Sequence, residues 1–171
     1  MRARIAKLEL CAPITTIALA GFAGLGLIAQ ASPPLALVNE SPSIPKGLYL
    51  RSLDQRPRRG AIVAVEPPPS ARRYLGALGM PASAPLLKRI AAVSGEQVCR
   101  TGGELQWPGH AAAALARDRR GAALLAWSDC RRLGADELLV MGDTPTSFDS
   151  RYFGPVPRST LSGVYVEVMR W

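Results

Sequence analysis

The sequence has 171 residues and a net charge of +8 at pH 7, a length that suits one globular domain and argues against a second. Its single histidine and three scattered cysteines leave no ligand spacing for a metal cluster, and it has no glycine-rich phosphate loop, so no cofactor is expected. The basic clusters at 56–60, 71–73 and 117–120 lie apart without an aromatic stacking pattern, which argues against nucleic acid as a partner and leaves a membrane surface with anionic lipid.

An uncharged apolar stretch, residues 10–30, follows a short basic segment at the start of the chain. Its length matches the roughly 20 residues with which a helix crosses a bilayer. Basic residues beside such a helix remain in the cytoplasm, and three precede this one: Arg2, Arg4 and Lys7. The sequence therefore predicts a cytoplasmic segment at 1–9, a single-pass anchor in the inner membrane at 10–31, and a periplasmic domain at 32–171.

A cleaved signal peptide is the alternative for this segment. The residues "AQA" at 29–31 fit the small residues of a cleavage site, so that Ser32 would be the mature N-terminus. The apolar run is longer than the about 7 to 15 residues usual in a signal peptide, which favours a retained anchor.

Short apolar runs, separated by proline and glycine, follow the anchor and indicate strands. In chain order they are 47–53, 61–66, 86–93, 137–142 and 164–171. Two stretches favour short helices: 70–78, and the alanine-rich 110–118. The sequence therefore predicts a mainly β domain of antiparallel sheets with small helical insertions.

Two of the cysteines fall in the exported part of the chain. An oxidising compartment permits a disulfide, and we expect Cys99 and Cys130 to pair. The alternative is two buried free thiols, because sequence alone does not fix the geometry of a bridge.

The stretch "SPSIPKGLYL" at 41–50 holds candidate nucleophiles. Its "SIPK" matches the S-x-x-K signature of penicillin-binding proteins, but that signature needs a helix, which Pro45 and Gly47 disfavour. A Ser-His-Asp triad is disfavoured because the only histidine, His110, follows a Pro-Gly pair that is typical of a surface turn. A serine with a lysine base is the remaining nucleophilic arrangement.

A lysine can act as a base near neutral pH only where burial disfavours its charged form. Lys46 lies in a turn between Pro45 and Gly47 and should remain solvated. Lys88 lies in an apolar strand-like run, where alternation places it on one face with Leu86 and Ile90. Such a lysine either extends its amine to solvent at a strand edge or takes part in chemistry.

Three stretches in this order resemble the type I signal peptidases, and most closely the TraF-type branch that matures conjugative pilins. They are "NESPSIPKGLY" at 39–49, "LLKRIAAVSGE" at 86–96 and "GDTPTSFDSRYFGPV" at 142–156. The resemblance implies that Ser43 is the nucleophile, that Lys88 is the general base, and that the Ser41 hydroxyl and the Ser43 N–H form the oxyanion hole. It also implies three residues that support this dyad: Ser147, Asp149 and Arg151.

The resemblance further implies the antiparallel fold of the signal peptidases behind one transmembrane helix. It implies a membrane-anchored serine endopeptidase whose partners are membrane lipid and a precursor protein with small residues near the cut. A conjugative pilin precursor is the expected substrate, cleaved with or without cyclisation of the product. Two alternatives remain: a general leader peptidase with many exported substrates, and a non-catalytic anchored β-domain of a conjugation or secretion apparatus.

Overall fold

The computed structural model of the protein describes residues 33–171, and strands predominate within them. The strands are β1 (Ala36–Asn39), β2 (Gly47–Ser52), β3 (Ile62–Val65), β4 (Leu86–Ala92), β5 (Gln97–Thr101), β6 (Glu104–Trp107), β7 (His110–Ala113), β8 (Cys130–Arg132), β9 (Glu137–Met141), β10 (Val156–Pro157) and β11 (Leu161–Arg170). The helices are α1 (Pro69–Ala77), α2 (Ser150–Phe153) and a 3-10 turn (Arg158–Thr160). None of the helices in this part of the chain has the length and apolar character to span a bilayer. The anchor predicted at 10–31 lies outside the described residues.

The strands form two sheets, and every pair of neighbouring strands in them is antiparallel. The larger sheet has seven strands in the order β1-β2-β11-β3-β4-β9-β10. The smaller has four, in the order β7-β6-β5-β8. The smaller sheet is formed by a segment inserted between β4 and β9, two strands that pair with each other in the larger sheet. The prediction of a mainly β, antiparallel domain is confirmed.

The hydrophobic core covers both faces of β4 and β9. On one side a cluster includes Val63, Val65, Ile90, Leu138 and Val140. On the other side Leu139 and Met141 pack with residues of the smaller sheet, Val98 and Leu105. Burial on both faces favours apolar residues at successive positions, which explains the apolar run at 138–141 in β9.

The helix predicted at 110–118 is wrong. The segment begins with β7 (His110–Ala113), which pairs with β6 across a turn made by Pro108 and Gly109. Gly109 has a φ of 77°, the positive value that a type II turn needs after a proline. Pairing with β6 brings Ala112 against a core cluster, and this burial overrides the helix preference of alanine.

The other predicted elements are present. The helix predicted at 70–78 is α1, and the first four predicted strands agree with β2, β3, β4 and β9 to within two residues at each end. The last strand begins earlier than expected, at Leu161. The smaller sheet is largely absent from the prediction.

A disulfide joins Cys99 of β5 to Cys130 of β8, as the sequence predicts. The two residues are direct partners in the antiparallel pair. Their separation of 31 residues means that the bond closes a segment containing the β6–β7 hairpin. The bond therefore links the strands of the smaller sheet that come first and last along the chain, β5 and β8.

Candidate active site

The loop between β1 and β2 carries Ser43, and the side chain of Asn39 holds this loop in place. The Asn39 amide nitrogen donates to the carbonyl oxygens of Ile44 at 3.0 Å, Pro45 at 2.9 Å and Ser41 at 2.9 Å. Its amide oxygen accepts from the backbone N–H of Ser41 at 3.2 Å. One buried amide thus satisfies the backbone of a turn that makes few hydrogen bonds of its own. No role was predicted for Asn39, and its only signal is a polar residue at the end of a strand.

Lys88 lies on β4, in the middle of the larger sheet, with only 4% of its surface exposed. Its position between β3 and β9 excludes the strand-edge alternative. Burial lowers the pKa of its amine from 10.5 to about 8, although the nearby carboxylate of Asp149 acts in the opposite direction. The amine donates a hydrogen bond to the Ser147 hydroxyl at 3.0 Å. The Lys88 amine is therefore oriented and can lose its proton near neutral pH.

The segment at 142–147 connects Ser147 to the Ser43 loop. The backbone N–H of Asp143 donates to the Ser43 carbonyl at 2.6 Å. A Cβ added at Gly142 would collide with the Ser147 hydroxyl and lie 2.8 Å from the Ser43 carbonyl oxygen. Glycine at 142 therefore permits the close approach of the two segments.

A buried ion pair of Asp149 and Arg151 shapes the same segment. The Arg151 guanidinium donates to both Asp149 carboxylate oxygens, at 2.8 and 2.7 Å. It also donates to four backbone carbonyl groups, those of Thr144, Pro145 and Ser147 in the segment that curves around it and that of Ala113 at the end of β7. Asp149 accepts from the N–H groups of Gly142 and Arg151, the second of which caps α2. The pair therefore fixes the backbone on which Ser147 is placed.

The two predicted oxyanion donors contact each other. The hydroxyl oxygens of Ser41 and Ser43 are 2.6 Å apart, and the Ser43 N–H donates to the Ser41 hydroxyl at 3.2 Å. Ser43 is 7% exposed. In this arrangement the hydroxyl of Ser43 has Ser41 as its partner, while the amine of Lys88 has Ser147.

The Ser41–Ser43 pair and the Lys88–Ser147 pair line one cavity of about 490 Å³. Its wall is largely apolar and includes Leu75, Leu78, Met80, Leu86, Leu87 and Phe148. The cavity therefore brings together a buried hydroxyl, a buried amine and an apolar surface that suits small apolar side chains.

The alternative base and the alternative triad member both lie on the surface. The Lys46 amine is exposed and lies 3.8 Å from the Glu40 carboxylate. The His110 ring is exposed and stacks on Trp107. Neither residue lines the cavity of Ser43 and Lys88.

Comparison with known proteins gives consistent similarities. Residues 9–171 match the family described as signal peptidase, peptidase S26. The chain is 34% identical to a plasmid transfer protein TraF of Escherichia coli, over 91% of this chain and 94% of that one. It is 31% identical to a probable conjugal transfer protein TraF of Sinorhizobium fredii, over 78% and 77%. Among solved structures, a signal peptidase I of Enterococcus faecalis is similar with a TM-score of 0.39 and 24% identity, covering 64% of this chain and 97% of that one.

Proposed function

The chain belongs to the signal peptidase family, peptidase S26, and we propose that it is a serine endopeptidase that processes an exported precursor with Ser43 and Lys88. The observation that carries this proposal is the buried Lys88 amine, whose pKa is lowered to about 8, in one cavity with the Ser43 hydroxyl. A buried amine without a chemical task only destabilises a fold, so its presence favours a functional role.

In the proposed reaction, neutral Lys88 accepts the proton of the Ser43 hydroxyl while the oxygen attacks the scissile carbonyl carbon. The C–N bond then breaks, Lys88 returns the proton to the departing amine, and the acyl group remains on Ser43 as an ester. Before attack, the Ser43 hydroxyl must exchange its contact with Ser41 for one with Lys88. The Ser147 hydroxyl accepts from the amine and orients its lone pair.

The same exchange would open the oxyanion hole. When the Ser41 hydroxyl turns toward the substrate carbonyl oxygen, the Ser43 N–H is released to donate to that oxygen as well. Each donor contributes about 3 kcal/mol to transition-state stabilisation in sites of this kind. Water then hydrolyses the ester, or the substrate's own N-terminal amine attacks it and closes a ring.

The proposed substrate is a conjugative pilin precursor with small residues near the cut, since relatives of this chain are plasmid transfer proteins. The proposed location is the inner membrane, with the N-terminus in the cytoplasm, the segment at 10–31 as anchor and the catalytic domain in the periplasm. The Cys99–Cys130 disulfide supports an oxidising compartment. A short tether to the membrane would raise the local concentration of emerging precursors.

Co-expression with the pilin precursor of the same transfer system tests this proposal. The Ser43→Ala and Lys88→Ala variants should each abolish processing, seen as retention of the precursor on a gel. Lys46→Ala is the matched control because it removes an exposed lysine from the same region, and it should process normally. Processing by Ser43→Ala would rule out the nucleophile.

Two further outcomes separate the alternatives. Rescue of cells depleted of their own leader peptidase would indicate a general leader peptidase. Failure of the unmodified chain to process any precursor, together with no Ser43-dependent labelling by an acylating probe, would indicate a non-catalytic β-domain.

A further inference from the structure

A short hairpin at residues 117–123, which we call the arginine hairpin, projects two arginines. Its ends are joined by a bridge between Arg117 and Ala123. The turn closes with the N–H of Gly121 donating to the Asp118 carbonyl at 3.0 Å, and Gly121 has a φ of 82°, which favours glycine. The residues at the tip, Arg119 and Arg120, are exposed.

The arginine hairpin is held against the rest of the domain by Asp118. One carboxylate oxygen of Asp118 accepts from the Tyr74 hydroxyl of α1 at 2.9 Å. The other accepts from the N–H groups of Arg120 and Ala122, at 2.9 and 2.8 Å. The Asp118 carboxylate is thus occupied by the turn and by α1. Neither Arg119 nor Arg120 forms a salt bridge within residues 33–171.

The tip lines a cavity that adjoins the one containing Ser43. A second cavity of about 200 Å³ is lined by Asp118, Arg119 and Arg120. Five residues line both this cavity and the one that contains Ser43 and Lys88: Pro42, Tyr74, Leu78, Thr146 and Phe148. The two cavities therefore share a wall, and Pro42 precedes the proposed nucleophile directly.

We propose that Arg119 and Arg120 form a subsite for an acidic side chain of the precursor, located to one side of the scissile bond. The inference rests on the proposed function, since the cavity of Arg119 and Arg120 adjoins the one that contains Ser43. Neither guanidinium is held in a salt bridge within residues 33–171, although the charge of Arg120 lies near the Asp118 carboxylate, so both can donate paired hydrogen bonds to a carboxylate of the peptide. The hydrogen bond between Tyr74 and Asp118 fixes the tip beforehand. The aromatic wall between the two cavities would contact the intervening backbone of the peptide.

Binding to the full-length Ser43→Ala protein in zwitterionic detergent tests the subsite without requiring cleavage. The probes are fluorescent peptides of about twelve residues, which span about 40 Å when extended. Every peptide has alanine on both sides of its central bond. Across the series, a single Asp is placed at each of the remaining positions, and a matching peptide carries Asn at the same position. We expect the Asp peptide to bind about fivefold more tightly than the Asn peptide at one position or two adjacent ones.

Two charge variants of this protein decide the result. Arg119→Gln with Arg120→Gln should abolish the preference for Asp. Arg56→Gln with Arg58→Gln is the matched control: it removes the same charge from two exposed arginines outside both cavities, and it should keep the preference. If the preference is absent at every position, survives in the first variant, or is lost equally in the second, the subsite does not exist.

Anionic lipid is the competing ligand for these arginines. Sedimentation with phosphatidylglycerol vesicles should therefore be measured with the same variants. If the Arg119 and Arg120 variant loses vesicle binding while peptide discrimination is unchanged, the tip contacts the membrane and the proposal is overturned. Absence of cleavage by the chain with Ser43 intact would contradict the proposed peptidase and leave the binding result to be judged separately.

Discussion

Burial of the Lys88 amine determines how the proposed activity should depend on pH. Below its pKa of about 8 the amine is protonated and cannot accept the Ser43 proton, and above that pH it is neutral. We expect kcat/KM to rise about tenfold per pH unit below pH 8 and to level off above it. Cleavage rates of a fluorogenic peptide between about pH 6 and pH 10 would show this, with circular dichroism as the control for folding. A flat profile, or a midpoint near the ordinary lysine pKa of 10.5, would contradict a buried base.

The same burial should make Lys88 lower the free energy of unfolding at neutral pH. Between pH 8 and 10.5 the unfolded chain binds more protons at this residue than the folded chain, so stability rises with pH across that window and is lowest below it. Lys88→Met has a similar length and no charge. It should abolish activity and raise the free energy of unfolding at pH 7 by about 2 kcal/mol, less at pH 10. Urea denaturation at both values of pH measures the difference. A variant less stable than the parent at pH 7 would show that the charged amine is well compensated.

At the scale of elements, the β1–β2 loop depends on one side chain that lies outside the proposed chemistry. Asn39→Ala removes the side-chain donor to three carbonyl groups of the loop, of which the Pro45 carbonyl still accepts from the Tyr49 hydroxyl at 2.7 Å. We expect kcat to fall about 10- to 100-fold with a smaller change in KM, because the position of Ser43 loosens while the cavity wall remains. Steady-state cleavage of a peptide provides both constants.

Lys46→Ala is the matched control for this prediction, since it alters an exposed residue of the same loop that does not line the cavity and pairs only weakly with Glu40. It should behave as the parent. Equal losses in both variants would mean that the loop is sensitive to any change and that Asn39 has no special role.

The elements that could be predicted are those whose pattern is local. The runs of β3, β4 and β9 can be recognised in the sequence because burial of both faces makes these strands largely apolar. The strands of the smaller sheet are short and half exposed, so they carry neither an apolar run nor a clean alternation. The stretch at 110–118 was misassigned for a related reason, since only pairing with β6 distinguishes its alanines from those of a helix.

The site follows the same division. Lys88 is recognisable because a lysine within an apolar run is unusual, and Ser43 because a resemblance identifies its stretch. The contact between Ser41 and Ser43 and the hydrogen bonds of Asn39 depend on the conformation of an irregular loop. The role of Gly142 depends on its closeness in space to Ser43, which is remote from it in the sequence. The hydrophobic periodicity of a sequence contains no information about such contacts.

At the scale of the whole molecule, the proposed chemistry and the smaller sheet are carried by different parts of the chain. Ser41, Ser43, Lys88 and Ser147 all lie outside the segment from β5 to β8. That segment lines the second cavity with the arginine hairpin and packs Val98 and Leu105 against the larger sheet. It contacts the residues behind the dyad through the Ala113 carbonyl, which accepts from Arg151 at 3.3 Å. Loss of order in the smaller sheet should therefore alter recognition before it alters the dyad.

The Cys99–Cys130 disulfide allows this division to be tested. The bond constrains a segment of about 30 residues in the unfolded chain, so its removal should lower the free energy of unfolding by about 3 kcal/mol. With Cys99→Ser and Cys130→Ser together, we expect a lower Tm by scanning calorimetry. At a temperature well below that Tm, the cleavage rate of a peptide without acidic residues should be retained, while any preference for an acidic peptide should weaken. A parent chain treated with reductant should behave as the double variant does, and reductant should leave that variant unchanged. Loss of cleavage on every peptide, in a variant that remains folded, would show instead that the smaller sheet supports Ser43 and Lys88 directly.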